Sequence, residues 1–111
     1  MPTKSKPLPA CPVETTLQLI GNKWKVLIIR DLLDGTKRFN ELMRSLAGIS
    51  QKVLTSNLRD MESADLVLRT VYPEVPPRVE YALTEIGMSL QPVLDSMTAW
   101  GIAYKNRVAA G

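Results

Sequence analysis

A chain of 111 residues, 45% hydrophobic and 23% charged, is one globular domain, too short for a catalytic unit beside a separate binding unit. With no His and a single Cys, it has no internal disulfide, no Cys-based zinc site and no usual general base, so hydrolytic and metal chemistry are poorly supplied and no cofactor is expected. A net charge of +3 does not by itself argue for nucleic acid, but residues 37–59 hold Lys37, Arg38, Arg44, Lys52 and Arg59 against Glu41 alone, while residues 84–104 hold Glu85, Asp95 and no base.

Residues 1–10, with Lys4, Lys6 and three prolines, read as a flexible basic arm, leaving residues 11–111 as the folded domain. No apolar run approaches the roughly 20 residues that cross a bilayer, and no signal-peptide segment is visible, so a cytoplasmic protein without a membrane partner is expected. Pro12 suits a first helical position, making Cys11 the N-cap of a helix in which Val13, Leu17 and Ile20 share a face and which Gly21 ends. Asn22 can cap the next helix. There Trp24, Val26, Leu27, Ile28, Ile29, Leu32 and Leu33 are too many for one stripe and mark the central helix of the core. Residues 34–36 close it, with Gly35 available at C′. Lys37 and Arg38 follow as a short extended stretch near the free N–H groups of another helix.

Residues 39–64 read as two helices and a tight turn. Phe39, Leu42, Met43 and Leu46 recur at helical spacing, and Gly48 can take the positive φ needed to leave the first helix. Ser50 can cap the second, with Ile49 and Leu54 placed as a hydrophobic staple. In this second helix Leu54, Leu58 and Met61 form one side, and Gln51, Lys52, Thr55, Ser56 and Arg59 form a band on roughly the opposite side. The band has no carboxylate. Amides, hydroxyls and cations are the groups that bond base edges or phosphate oxygens, although Asp60 and Glu62 weaken the pattern at its far end. A solvated helix face is the competing interpretation of the same residues.

Residues 66–72 and 78–83 read as two strands joined by a stiff Pro-Glu-Val-Pro-Pro loop, a wing behind a helix-turn-helix. Its Arg78 is either a minor-groove or phosphate contact or an ordinary surface cation. Thr84 then caps a long final helix, with Ile86, Leu90, Val93, Leu94, Met97 and Tyr104 at helical spacing and a bend expected at Pro92. Its apolar surface exceeds one core contact. Burial against a second copy across a two-fold axis, together with the first helix, is one outcome, and folding back on its own core is the other.

The fold class expected is mainly α with a small β-hairpin: a winged helix-turn-helix with N- and C-terminal dimerisation helices. The segments from Cys-Pro through Lys-Trp, RFNEL, GIS, LTSNLR and VEYALTEIG to the Trp at position 100 resemble the HxlR family of bacterial winged-helix regulators, relatives of the MarR type. The resemblance covers nearly all of residues 11–100. It implies a homodimer that represses or activates a nearby gene, with the helix that starts after Ser50 in the major groove of a double-stranded operator and the wing at the adjoining minor groove. Asp65 departs from the family, which usually has Gly there, and a slightly strained exit from the recognition helix is expected. On this reading Gln51, Lys52, Thr55, Ser56 and Arg59 enter the groove, while Lys37, Arg38 and Arg78 meet the backbone. Some family members sense electrophiles or oxidants through a Cys equivalent to Cys11. A thiol at a helix start near Lys4 and Lys6 is placed for that chemistry, or else packs as a small apolar cap. A small-molecule effector near Trp24 or Trp100, or a protein-interaction role for the winged helix, stays open. No nucleophile–base pair is visible, so an enzyme is not expected.

Overall fold

The computed structural model describes residues 7–111, so the part of the expected arm at residues 1–6 lies outside the described residues. Among the described residues, six helices and three short strands follow in the order α1 (Pro12–Ile20), α2 (Lys23–Leu33), β1 (Lys37–Arg38), α3 (Phe39–Ser45), α4 (Gln51–Ser63), β2 (Val67–Tyr72), β3 (Arg78–Leu83), α5 (Glu85–Met88) and α6 (Gln91–Ala110). The protein is mainly helical with a small antiparallel sheet, the architecture of a winged helix-turn-helix.

Local chemistry sets the boundaries of the central elements. Asn22 caps α2 by accepting from the Lys25 N–H at 2.8 Å, and the Ser50 hydroxyl caps α4 by accepting from the Val53 N–H at 3.1 Å. Between α3 and α4, Gly48 adopts φ +92°, a conformation that strains any residue with a Cβ, and the chain reverses there. At the other end of α4 Asp65 is left-handed at φ +64°, the slightly strained exit expected for Asp in place of Gly. The core gathers Ile28, Ile29 and Leu32 of α2, Leu42 and Leu46 around α3, Leu54, Leu58 and Met61 of α4, and Leu66 and Val67 at the sheet root, each almost wholly shielded from water. Ile49 and Leu54, the expected staple, are both buried.

The sheet has the order β1-β3-β2, with β3 paired antiparallel on both sides. The two residues Lys37 and Arg38 are thus the third strand beside the hairpin.

The C-terminal segment differs from the single bent helix the sequence predicts. Thr84 does cap a helix, its hydroxyl accepting from the Gly87 N–H at 3.0 Å, but α5 ends after one turn and α6 starts anew at Gln91. Pro92 lies in the first turn of α6 rather than inside a continuous helix. Its missing N–H costs nothing in that turn, where no intrahelical acceptor is waiting. Gly87 explains where α5 sits: a Cβ built on it would lie 2.3 Å from the Leu66 carbonyl oxygen, so only Gly lets α5 approach the sheet root so closely.

α6 runs 20 residues, about 30 Å of helix, and Leu94 is its one buried residue. Beyond Leu94, Met97, Trp100, Ile102, Tyr104 and Val108 are exposed, with Trp100 stacked on Tyr104 at 5.3 Å between ring centroids. Val13 and Leu17 of α1 are likewise exposed in the single chain. No described helix is long and apolar enough to cross a membrane.

Candidate nucleic-acid interface

The face of α4 opposite the core brings together the residues singled out from the sequence. Gln51, Lys52, Thr55, Ser56 and Arg59 line one shallow groove along the helix, together with Asp60. Four of the five are exposed and Thr55 is half-buried, while Leu54, Leu58 and Met61 on the other side anchor the helix in the core. The periodicity of α4 therefore sorts its residues as the 100° arithmetic requires. Asp60, the carboxylate that blurred the pattern, is held by Lys25 of α2 at 3.3 Å, which offsets its charge at the edge of the groove. Among the described residues, Lys52 and Arg59 have no carboxylate within 4 Å, so their charge is open to a ligand.

A polar contact with no local signature in the sequence ties α4 to α2. Asn57 is the one buried polar residue among those described, 8% exposed; its Oδ1 accepts from Asn22 Nδ2 at 3.0 Å and its Nδ2 donates to the Val53 carbonyl at 2.8 Å. One Asn thus caps α2 and grips α4, 35 positions away. Lys25–Asp60 repeats the link one turn further along both helices. That pair is largely exposed on the Asp side and contributes at most about 1 kcal/mol.

Lys37 and Arg38 stand together on β1, and Arg38 is also the N-cap residue of α3, where its N–H donates to Glu41 Oε1 at 2.7 Å. Arg78 is placed differently from a cation waiting for DNA. Its guanidinium donates to Glu74 at 2.8 Å and to Glu80, and lies 3.8 Å above the centre of the Tyr72 ring. Donating to the Glu74 and Glu80 carboxylates pushes the Arg78 pKa above the usual arginine value, and accepting from Arg78 holds the Glu74 carboxyl below the usual carboxylate range. The wing tip therefore carries two carboxylates against one guanidinium.

Arg69 on β2 is a cation the sequence reading did not select. It lines a cleft of about 380 Å³ between α4 and the sheet, together with Thr55, Leu58, Arg59, Glu62 and Tyr81. The signal was present: on a strand, Arg69 follows Val67 by two and so shares its face. Cys11 is exposed, at the N-cap of α1, and makes no side-chain capping bond; its carbonyl accepts from the Thr15 N–H at 3.0 Å.

The model of the HxlR-like helix-turn-helix family matches residues 19–109. The chain belongs to the HxlR family. It is accordingly a transcriptional regulator with a DNA-binding helix-turn-helix. The HTH-type transcriptional regulator YdeP of Bacillus subtilis is 50% identical over 98 residues, 88% of this chain and 77% of YdeP. Among solved structures, the redox regulator HypR is similar in its oxidised form (TM-score 0.80, 48% identity, 84% of this chain and 96% of that one) and in its reduced form (0.84, 44%, 91% and 100%). YodB from B. subtilis is similar in its reduced form, with TM-score 0.73 and 44% identity over 83% of this chain and 91% of that one. The HxlR membership matches the family resemblance read from the RFNEL, LTSNLR and VEYALTEIG segments.

Proposed function

We propose that this HxlR-family chain acts as a homodimer that reads a pseudo-palindromic operator in double-stranded DNA and controls a nearby gene, in the cytoplasm. The observation that carries this reading is the α4 face: Gln51, Lys52, Ser56 and Arg59 exposed beside a half-buried Thr55, with Asp60, the one acidic side chain lining the same groove, paired with Lys25. Ser50, as the cap, sets the first turn of that face. Lys37, on the sheet face that meets α4, adds a backbone contact beside it, whereas Arg38 lies on the opposite face of the sheet. Apolar surface on α1 and α6 supports the dimer. Val13, Leu17, Met97, Trp100, Ile102, Tyr104 and Val108 are exposed in one chain, apolar surface that a second copy would cover.

A two-fold pair sets its two α4 helices about 34 Å apart, one turn of the duplex. Footprinting of the purified protein on the DNA flanking its own gene tests this. Protection of two half-sites one helical turn apart is expected, and a single unpaired site, or none, counts against it.

A second reading, oxidant sensing, is favoured by one observation: Cys11 is exposed at the head of α1, the helix whose apolar face is assigned to the dimer. Being the only Cys, it forms a disulfide only with the partner's Cys11 or with a small thiol, two thiols losing two protons and two electrons to the oxidant. The likeness to HypR and YodB supports the class of signal. Operator binding titrated with diamide separates the wild type from Cys11→Ser. Identical curves end the sensor reading and leave Cys11 as a helix cap.

A further inference from the structure

We propose that the cation the wing offers to DNA is Arg69, which with Arg59 holds one phosphodiester of the operator backbone in the cleft between α4 and the sheet; this rests on the DNA-reading assignment above. Strand register separates Arg69 from Arg78. Directly opposite residues of an antiparallel sheet point to the same face. Arg69 and Lys37 both pair with Tyr81, and Val67 with Leu83, so these residues share the face that carries the buried Val67 and Tyr81 and meets α4. Arg78 pairs with Tyr72, and Glu80 with Thr70 and Arg38, on the other face, away from the recognition helix.

The charges divide in the same way. Arg78 is matched by Glu74 and Glu80 and braced on Tyr72, so binding a phosphate would mean giving up those bonds. Arg59 and Arg69 line one cleft, and among the described residues neither has a carboxylate within 4 Å. Glu62, also in the cleft wall, is the one acidic group there and leaves a local excess of one positive charge. Two guanidinium forks facing one space repel each other until an oxyanion fills it, and a phosphodiester offers oxygens to both. Thr55 and Arg59 also line the groove-reading face. A duplex seated on that face runs its backbone past the mouth of the cleft.

The test measures binding of an operator fragment by fluorescence anisotropy from about 50 to 200 mM salt, for the wild type, Arg69→Ala, Arg69→Gln and Arg78→Ala, each verified as folded by circular dichroism. One lost phosphate contact lowers the slope of log K against log salt by about 0.9, so the gap between wild type and either Arg69 variant narrows about 3.5-fold across that range. The loss should be equal on operator and on scrambled DNA, and Arg78→Ala should keep the wild-type slope. A wild-type slope in both Arg69 variants, or a slope lowered by Arg78→Ala instead, overturns the inference while leaving DNA reading intact. Wild-type protein that shows no salt-dependent binding overturns both. Inorganic phosphate at millimolar concentration, in a sulfate-free buffer, should weaken DNA binding by no more than its ionic strength does. Competition beyond that would assign the cleft to the free ion and overturn the backbone assignment.

Discussion

The Asn22–Asn57 contact can be cut from either side, and the two cuts should not cost the same. Asn22→Ala removes the cap of α2, about 1 kcal/mol. It also strips the donor from Asn57 Oδ1 within a residue only 8% exposed, a further loss of about 1–3 kcal/mol for an unsatisfied buried acceptor. Asn57→Ala removes the bonds at 3.0 and 2.8 Å, but the partners it abandons are less penalised: Asn22 is exposed and finds water, and the Val53 carbonyl lies within the ladder of α4. About 1–2 kcal/mol is expected there. In the double variant no buried acceptor is orphaned, so its cost falls short of the sum of the singles by that same penalty, about 1–3 kcal/mol. Urea unfolding at one fixed protein concentration measures all four corners of the cycle. Singles that add to within about 0.3 kcal/mol would refute the account of α4 as a helix gripped through this amide pair.

Two further outcomes follow from the geometry. Gly87→Ala places a methyl 2.3 Å from the Leu66 carbonyl oxygen and must push α5 off the sheet root, lowering stability by about 1–3 kcal/mol in the same unfolding assay, and an unchanged midpoint would contradict the close approach. At the wing tip, the folded-state pKa of Glu74 is depressed by the hydrogen bond from Arg78, so the clamp is fully present above the ordinary carboxylate value and is lost as pH falls through the depressed one. Followed by NMR from about pH 6 to about pH 2, the Glu74 side-chain carboxyl signal should titrate with a midpoint below that of a free carboxylate, and a midpoint at the ordinary value would show the Glu74–Arg78 pair to be absent in solution.

The parts of the molecule legible in the sequence are those governed by neighbours a few residues apart. The caps at Asn22 and Ser50, the turn at Gly48, the left-handed exit at Asp65 and the two-sided α4 each depend on one helical turn or less, and each is where the residues place it. The division between α5 and α6 was hidden because Ile86, Leu90, Val93, Leu94 and Met97 keep helical spacing across it. A proline in such a run is compatible with a bend or with a fresh start, and the docking of Gly87 against Leu66 selects the start. The grip of Asn22 on Asn57 joins residues 35 apart and has no local signature. Arg78 stood out as the base of the wing because strand alternation marks which residues share a face, yet it does not show that the loop folds Glu74 back onto that same guanidinium. Strand alternation likewise puts Arg69 on the face of Val67 without showing what it meets there. Its role depends on register against β3 and on how closely α4 approaches the sheet.

The assignment of α4 as the helix that reads DNA is tested most directly by the affinity of a folded Lys52→Ala, Arg59→Ala double variant for the operator. A loss of about 2–4 kcal/mol relative to the wild type, with a shallower salt dependence, is the predicted result. Wild-type affinity in that variant, with its fold and its oligomeric state unchanged, would contradict it.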